Sequence, residues 1–488
     1  MVQMLRPWKT ILSIELKSEK AVYRQIAEGI VEEIKRGRLK PGTPLPGTRQ
    51  LAEDLNVNRK TIVLAFEELL AEGWLMSAYK KGTFVSEKLP QRTTSFRDHK
   101  HEPPAPNFAF KTPQRSGDPF IQKIKNTVVF DDGLPDVRLA PMDELARGYK
   151  RIFQQSTRWR MMGYGDPRGC ERIRKAIAGM LRHDRGLAAD QERLCITRGS
   201  QMALYLTANA MVEKGDYIAV EDPGYAPAWN TFTQCGAKLI PVKVDDEGIC
   251  VDTLEKICVK KKLKAIYVTP HHQFPTTVSL KIDRRLRLIE LSHRYGFAII
   301  EDDYDHEFHF SSKSLLPLAS LESAVNVIYI SSLSKIVAPA VRIGYILASE
   351  AFIGSVAPIR KIIDVQGDSV MEHAISELME EGLIRKHARR AYKIYEERRE
   401  NMERMLREFL DGHVDFNKPE GGLAYWVRLK KQRNTHTLAE RLLRQGVSVI
   451  PTEAFSFSGQ PLNALRLGYA SLTPEELERG LTAMRKVL

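Results

Sequence analysis

The stretch SSLSKIVAPAVRIGY, residues 331–345, combines a lysine amine with hydroxyl groups and an arginine. Lys335 follows the apolar run VIYI, and its amine can form an imine with an aldehyde. Ser332 and Ser334 precede the lysine and Arg342 lies seven residues after it, so donors for an anionic group surround the amine. These residue types suit aldehyde chemistry on a phosphorylated cofactor.

Four further polar clusters follow apolar runs earlier in the chain. Such runs, without alternation, are typical of strands in a parallel sheet that is covered on both faces. Ligands bind outside the carboxyl ends of these strands, so we expect all five clusters to meet in one crevice. The runs are LCIT (194–197) before Ser200 and Gln201, YIAV (217–220) before Tyr225, AIYVT (265–269) before His272 and Gln273, FAII (297–300) before Asp302 and Tyr304, and VIYI (327–330) before the lysine.

The residue types in these clusters indicate one cofactor. Ser200 and Gln201 open a helix, whose free backbone N–H groups and dipole can hold a phosphate. Tyr225 offers a flat aromatic face, Asp302 can pair with a protonated ring nitrogen, and Tyr304 can hydrogen-bond a phenolate oxygen. Together with the lysine they describe pyridoxal 5′-phosphate (PLP). A dinucleotide site is the competing interpretation, but the chain has no G-x-G-x-x-G after a strand and no Walker lysine.

Length and composition indicate a multidomain protein of the cytoplasm. A chain of 488 residues exceeds one ordinary core, so two or three domains are expected. No run approaches the ~20 apolar residues of a membrane span, and the N-terminus is too charged for a secretory signal. The five cysteines form no CxxC pair, which favours buried thiols in a reducing compartment over disulfides or a cysteine metal site.

The first 85 residues have the pattern of a helix-turn-helix followed by a basic wing. Ile26, Ile30 and Ile34 recur every four residues in a first helix. Next come a short helix with an apolar face, a turn that ends in the N-cap residue Asn58, and a longer helix with an apolar stripe. Apolar and polar residues then alternate, with a break at residues 79–82, and this pattern predicts a β-hairpin with lysines at its tip. The alternative is a small helical domain whose basic residues only solvate its surface.

Charge alone does not identify this segment as DNA-binding. The whole chain has a formal net charge of +13, which invites a nucleic-acid partner. Residues 1–88, however, hold 15 Lys and Arg against 11 Asp and Glu, a net charge of only +4. The prediction of DNA binding therefore depends on the pattern of elements.

The same stretch resembles the GntR-type winged helix, through LPGTRQLAEDLNVNRKTIVLAFEELLAEGWL and GTFV. The resemblance implies that this module binds double-stranded DNA. Many wings of that family carry Gly-Ser before the GTF, whereas this chain has two lysines, which should strengthen phosphate binding. The residues expected at DNA are Arg49, Asn58, Arg59, Lys60, Thr61, Lys80, Lys81 and Gly82.

Residues from about 120 to 488 resemble a fold-type I aminotransferase, through YGDPRG, TRGSQMAL, EDPGY, TPHHQFPT, IIEDDYDHEF, SSLSKIVAPAVRIGY and ALRLGY. With the winged helix, nearly the whole chain resembles the MocR/GabR family of GntR-type regulators, in which an aminotransferase-like body senses small molecules. The resemblance implies a homodimer, Lys335 as the Schiff-base lysine and Arg466 as the clamp on an effector carboxylate. The predicted PLP contacts are Ser200, Gln201, Tyr225, His272, Gln273, Asp302, Tyr304, Ser332, Ser334 and Arg342.

Two positions depart from the family pattern. Thr277 stands where the family's HQFPTG motif ends in glycine, and we expect it to tighten or occlude a turn on the cofactor side. Pro227 stands where members that respond to GABA often have an arginine. The loss of that contact disfavours GABA as the effector.

The predicted fold class is multidomain, with an N-terminal α+β winged helix-turn-helix and a C-terminal α/β fold-type I aminotransferase-like domain. The predicted bounds are 1–88 for the DNA-binding domain, 89–119 for a proline-containing flexible linker and 120–488 for the effector domain.

The predicted function is PLP-dependent transcription regulation in response to an amino-acid or amine effector, through external aldimine formation and with at most residual aminotransferase activity. The alternatives are an active class I/II aminotransferase with an accessory DNA-binding module, which sustained turnover would reveal, and a PLP-free scaffold. The intact lysine cluster disfavours the scaffold.

Overall fold

The computed structural model of the chain describes residues 8, 12, 14, 15, 18, 20–78, 81–90, 127–154, 158–311 and 315–488. The chain divides into two compact units, Met1–Thr112 and Pro113–Leu488. The domain bounds that we derived from the sequence stay a prediction, and most of the expected linker lies outside the described residues.

The first unit contains a helix-turn-helix. Its helices span Val22–Lys35, Thr48–Leu55 and Arg59–Ala71. Asn56 ends the second helix in the left-handed conformation, with φ +51°, which asparagine adopts more readily than most residues. The Asn58 side chain then accepts a hydrogen bond from the Lys60 N–H at 2.9 Å and caps the third helix, as its sequence position predicts.

A two-stranded antiparallel hairpin, β1 (Leu75–Ala78) and β2 (Gly82–Val85), follows the third helix. The unit has its own apolar core, in which the isoleucines of the first helix pack with the apolar stripe of the third. The structure thus contains the helix, helix-turn-helix and hairpin that the sequence pattern predicts.

An eight-stranded sheet forms the centre of the second unit. Its strands are β4 (Leu194–Thr197), β5 (Tyr217–Asp222), β6 (Lys238–Asp245), β7 (Gly248–Ile249), β8 (Leu263–Val268), β9 (Ala298–Asp302), β10 (Val327–Ser332) and β11 (Gly344–Leu347). They lie in the order β4-β11-β10-β9-β8-β5-β6-β7. Strands β10, β9, β8, β5 and β6 are mutually parallel, whereas β11 runs antiparallel to both of its neighbours and β7 runs antiparallel to β6.

Helices cover both faces of this sheet. Successive residues of one strand enter different apolar clusters: Ala265 and Tyr267 pack in one cluster, whereas Ile266 and Val268 pack in another. This double burial explains why the central strands are apolar runs without alternation. The helices of the second unit span Met142–Gln154, Arg158–Met161, Glu171–Arg185, Ser200–Met211, Ala226–Gln234, Val251–Lys260, Ile282–Tyr295, Glu350–Asp364, Ser369–Glu380, Leu383–Leu410, Thr435–Arg444 and Pro474–Arg485.

Two smaller sheets complete the second unit. One is antiparallel, in the order β12 (Val414–Phe416), β13 (Ala424–Leu429) and β15 (Ala464–Gly468). The other pairs β3 (Val128–Val129) with β14 (Val447–Ser448) in parallel. Among the described residues, no helix has both the length and the apolar character needed to cross a bilayer.

Candidate functional site

A cavity of about 220 Å³ lies where the carboxyl ends of the parallel strands meet. It brings together Lys335 and most of the predicted cofactor residues, whose role in holding a cofactor stays a prediction. These residues are Ser200, Gln201, Tyr225, Asp302, Tyr304, Ser332, Ser334 and Arg342. The sequence did not single out the other lining residues, which are Asp132, Leu134, Tyr267, Thr269, Phe274 and Pro339.

Lys335 presents its amine to this cavity from the segment after β10. The Lys335 Nζ donates a hydrogen bond to the main-chain oxygen of Gly133 at 2.7 Å. The side chain is half-buried, so a small aldehyde in the cavity can reach the amine without the fold opening. Because this acceptor is an uncharged main-chain oxygen, the amine can leave it for another partner without leaving a buried negative charge unpaired.

One end of the cavity is shaped to hold an anion. Ser200 is the first residue of the helix Ser200–Met211, so the free N–H groups of the first turn and the helix dipole act there. Gly199 precedes it with φ +81°, and a Cβ at this position would lie 2.9 Å from the Arg342 guanidinium. Only glycine lets the arginine pack this closely. A guanidinium beside a helix N-terminus favours a phosphate.

Asp302 provides a buried carboxylate at the end of β9. Its Oδ2 accepts a hydrogen bond from the Tyr267 hydroxyl at 2.9 Å, while its Oδ1 is buried with no partner among the described residues. Burial raises the pKa of this carboxyl group to about 7, against the lowering effect of the Tyr267 hydrogen bond. An unpartnered buried carboxylate oxygen in a polar cavity fits a ligand that brings a positively charged N–H group.

Two tyrosines line the middle of the cavity. The Tyr225 ring contacts the Phe274 ring edge-on, with centroids 5.2 Å apart, which fixes the orientation of the tyrosine. The Tyr304 hydroxyl donates to the main-chain oxygen of His272 at 2.9 Å, and burial raises the pKa of this phenol well above its usual value. Tyr304 is therefore a neutral donor at ordinary pH.

His272 and Gln273 are not among the residues that line the cavity. The Gln273 amide donates to the main-chain oxygens of Pro223 and Phe274 and thus holds two loops together. The His272 Nδ1 lies 2.8 Å from an Asp305 oxygen, and the main-chain oxygen of His272 accepts the hydrogen bond from Tyr304, which lines the cavity. Both residues therefore support the cavity wall in this structure.

Arg466 lies behind the cavity wall and is 1% exposed. Its Nε donates to the main-chain oxygen of Asp132 at 2.9 Å and one terminal nitrogen donates to that of Pro275 at 2.6 Å. The guanidinium also lies 4.6 Å from the centroid of the Phe274 ring. Because Asp132 and Phe274 line the cavity, the arginine is one layer away from it.

The two departures from the family pattern occupy different places. Thr277 has φ +64°, a left-handed conformation that strains a β-branched residue, but it does not line the cavity. The structure thus gives no support to the expected occlusion of a cofactor-side turn by Thr277. Pro227 lines a larger cavity of about 1020 Å³, which shares Asp132, Tyr225 and Phe274 with the first.

In the helix-turn-helix unit, most of the predicted DNA contacts are exposed. Arg59 and Lys60 are exposed at the start of the third helix, whose amino-terminal end enters the DNA groove in this motif. Arg49 on the second helix and Asn58 are exposed as well, and Thr61 is half-buried. At the wing, Lys81 and Gly82 are exposed, while Lys80 lies outside the described residues.

Sequence reasoning missed Tyr267 and the residues before the first body helix. Tyr267 had a signal, because a tyrosine in an apolar central strand must find a partner for its hydroxyl. Asp132 and Gly133 gave no signal, because they belong to a segment without periodicity. Only the tertiary fold brings that segment to Lys335, some 200 residues later.

Comparison with protein-family models gives two matches. Residues 135–484 match the family described as aminotransferase class I and II. Residues 22–85 match the bacterial regulatory proteins of the gntR family.

Individual proteins are similar to both parts of the chain. The probable rhizopine catabolism regulatory protein MocR of Rhizobium meliloti is 29% identical over 97% of this chain and 95% of its own length. The HTH-type transcriptional regulator TauR of Rhodobacter capsulatus is 28% identical over 96% of each chain.

A solved structure is similar to the second unit. It is the α-aminoadipate aminotransferase LysN of Thermus thermophilus, complexed with N-(5′-phosphopyridoxyl)-L-leucine. It has a TM-score of 0.69 and 26% identity, and the similarity covers 74% of this chain and 92% of that one.

Proposed function

Because the chain belongs to the class I and II aminotransferase family and carries a gntR-family module, in the arrangement of the MocR-type regulators, we propose that it regulates transcription in response to a small amine or amino acid bound at PLP. The observation that carries the proposal is one cavity that holds both Lys335 and Asp302 Oδ1, an oxygen without a partner in the described part of the chain. A DNA-binding regulator acts where the genome lies, so the proposal includes a cytoplasmic location. It also includes a homodimer, which would present two helix-turn-helix units to paired half-sites.

The residues of the cavity fit PLP. Asp302 Oδ1 would accept the ring N–H, which removes the cost of an unpaired buried carboxylate oxygen. The first turn of the helix Ser200–Met211 and Arg342 would hold the phosphate. When bound, the cofactor supplies an aldehyde carbon that exchanges one amine for another.

The amine of Lys335 is the group that an effector amine would replace. Once freed, its Nζ can return to the hydrogen bond with the Gly133 main-chain oxygen, or hold a proton taken from the effector. The effector then acts on DNA binding only if its affinity differs between the DNA-binding and non-binding states of the protein.

Arg466 gives a first prediction, on the class of effector. We expect Arg466→Lys to weaken the spectral response of the cofactor-loaded protein to L-leucine roughly tenfold or more, since a hydrogen bond to a charged group is worth about 1.5–3 kcal/mol. The response to 3-methylbutylamine, which is leucine without its carboxylate, should stay unchanged. Equal weakening for both probes would mean that Arg466 only holds Asp132 and Pro275 in place.

The third helix gives a second prediction, on DNA. We expect Arg59→Ala to weaken binding to the DNA segment upstream of the protein's own gene by about 1–3 kcal/mol, measured by fluorescence anisotropy at fixed salt. Arg36→Ala is the matched control, because Arg36 is an equally charged, exposed residue that pairs with Glu32 on the first helix. An equal loss in both variants would show that the module attracts DNA by net charge alone.

A further inference from the structure

A cluster of histidines lies behind the cavity, in the segments TPHHQFP and DDYDHEFHF; His271 and His272 are buried, and His306 and His309 are half-buried. The rings of His271 and His272 have centroids 4.7 Å apart, and the rings of His271 and His309 have centroids 5.3 Å apart. His306 lies on the other side of His271, at 4.6 Å. The proposed regulatory function uses none of these imidazoles.

His271 is the member of the cluster that most needs an explanation. It is 3% exposed, and neither of its ring nitrogens has a hydrogen-bond partner among the described residues. A buried polar group in that state costs free energy, and native structures rarely leave one without a water, an ion or a ligand. The imidazole side chain therefore points to a bound species.

The geometry of its neighbours favours a metal ion. His272 Nε2 and His309 Nδ1 share a hydrogen bond of 3.2 Å. This distance is also close to the separation of about 3.3 Å between two imidazole nitrogens in a tetrahedral zinc site, so a cation that displaces the shared proton needs little movement of the two rings. The potential ligand atoms of His271, His272 and His309 all lie within 4.8 Å of one another. Small side-chain rotations can bring three such atoms to one cation.

The surroundings of these histidines also suit a cation. The His272 Nδ1 lies 2.8 Å from Asp305 Oδ1, which is the carboxylate–histidine arrangement that orients metal ligands. Asp303 and Asp305 each have one buried carboxylate oxygen without a partner among the described residues. Gly421 lies next to His272, and a Cβ at position 421 would be 2.1 Å from His272 Nε2, so any larger residue would clash with this nitrogen.

We propose that His271, His272 and His309 bind a divalent transition-metal cation of the zinc class. Three imidazoles suit zinc and its neighbours in the first transition row, and a three-histidine site leaves a fourth position for water. A separate cavity of about 800 Å³ reaches His306, beside His271, and offers a path for the ion. The site is distinct from the Lys335 cavity, but the main-chain oxygen of His272 accepts the Tyr304 hydroxyl of that cavity.

The test is a Co²⁺ titration of the full-length, tag-free chain, followed by visible absorption and by competition with Zn²⁺. We expect about one equivalent of tetrahedral Co²⁺ in the wild type. Removing a residue that only supports a metal ligand typically lowers the metal affinity 10–100-fold, and removing a ligand itself should lower it more. His271→Leu and His309→Gln should therefore lose the visible absorption band of tetrahedral Co²⁺. His436→Gln, at an exposed histidine beside Glu440, is the matched control and should keep it.

Thermal unfolding guards against a trivial loss of folding. Zn²⁺ should raise the midpoint of the wild type but not that of His271→Leu. Without metal, His271→Leu should be at least as stable as the wild type, because it removes a buried imidazole that has no hydrogen-bond partner within the described ranges.

Three results would each overturn the proposal: no Co²⁺ binding by the wild type, unchanged binding by His271→Leu, or binding that survives His309→Gln and is lost in His306→Gln. The last would assign the ion to the neighbouring group of His271, Asp303 and His306. None of these measurements depends on PLP or DNA, so their failure is separate from a failure of the proposed regulatory function.

Discussion

Replacing Lys335 by alanine is expected to abolish covalent attachment of PLP completely. The wild type, loaded with PLP and reduced with borohydride, should carry a phosphopyridoxyl group on the peptide that contains Lys335, and the variant should carry none. The reason is that Lys335 is the lysine that lines the cavity, with its Nζ 2.7 Å from the Gly133 main-chain oxygen. Peptide mass spectrometry and the visible absorbance of the protein provide the measurement.

A second lysine provides the control for this experiment. Lys264 on β8 is also half-buried, and its Nζ lies 3.7 Å from an Asp216 oxygen, but it does not line the cavity. Lys264→Ala should therefore keep the adduct and the absorbance. An adduct that persists in Lys335→Ala, or that maps to another lysine, would contradict the assignment.

Replacing Asp302 by asparagine is expected to weaken PLP binding by about 2–5 kcal/mol, the cost of removing one partner of a buried charged hydrogen bond. Asparagine has nearly the same shape and can still accept the Tyr267 hydroxyl, so the change removes mainly the charge. Equilibrium titration of the cofactor-free protein with PLP measures the loss. An affinity within twofold of the wild type would mean that Asp302 does not face the ring nitrogen.

The same substitution should have the opposite effect on the stability of the cofactor-free protein. Burial raises the pKa of Asp302 from 3.8 to about 7. At a pH between these two values, the native state therefore keeps a proton that the unfolded state has already released. The contribution of protonated Asp302 to the free energy of unfolding is fully present below about pH 4 and is lost as the pH rises through 7. Asp302→Asn should not share this loss, and its thermal midpoint should exceed that of the wild type at pH 8 more than at pH 5.

That pH dependence also protects the binding experiment from misinterpretation. A variant that loses PLP affinity while gaining stability without the cofactor cannot have lost affinity through misfolding. If Asp302→Asn were less stable than the wild type at pH 8, the buried carboxylate would be compensated by a partner that the described residues do not show.

The sequence predicted the class of fold and the position of the cavity because both depend on local patterns. The unbroken apolar runs 217–220 and 297–300 are typical of strands covered on both faces, and polar residues at the carboxyl ends of parallel strands meet at one edge of the sheet. The observed strands continue to Asp222 and Asp302, in each case two residues beyond the apolar run. The backbone ladder continues into polar residues, since its hydrogen bonds do not depend on side-chain polarity.

The positions of His272 and Arg466 were beyond sequence reasoning because they depend on tertiary packing. A motif places Arg466 on a late strand, but only the fold shows that two of its guanidinium nitrogens donate to the main-chain oxygens of Asp132 and Pro275. Likewise, the neighbouring histidines of TPHHQFP gave no metal-site spacing in the sequence, because their partner His309 is 37 residues away. Nothing periodic links these two segments.

If the occupant of the Lys335 cavity controls DNA binding, the affinity of the protein for DNA must depend on that occupant. Fluorescence anisotropy would give the Kd for labelled DNA from upstream of the protein's own gene, with and without PLP, under a panel of amino acids and their decarboxylated amines. We expect at least one compound to change the Kd of the PLP-loaded wild type, and we expect this change to disappear without PLP and in Lys335→Ala. A Kd that stays the same under every compound, with and without PLP, would contradict this expectation.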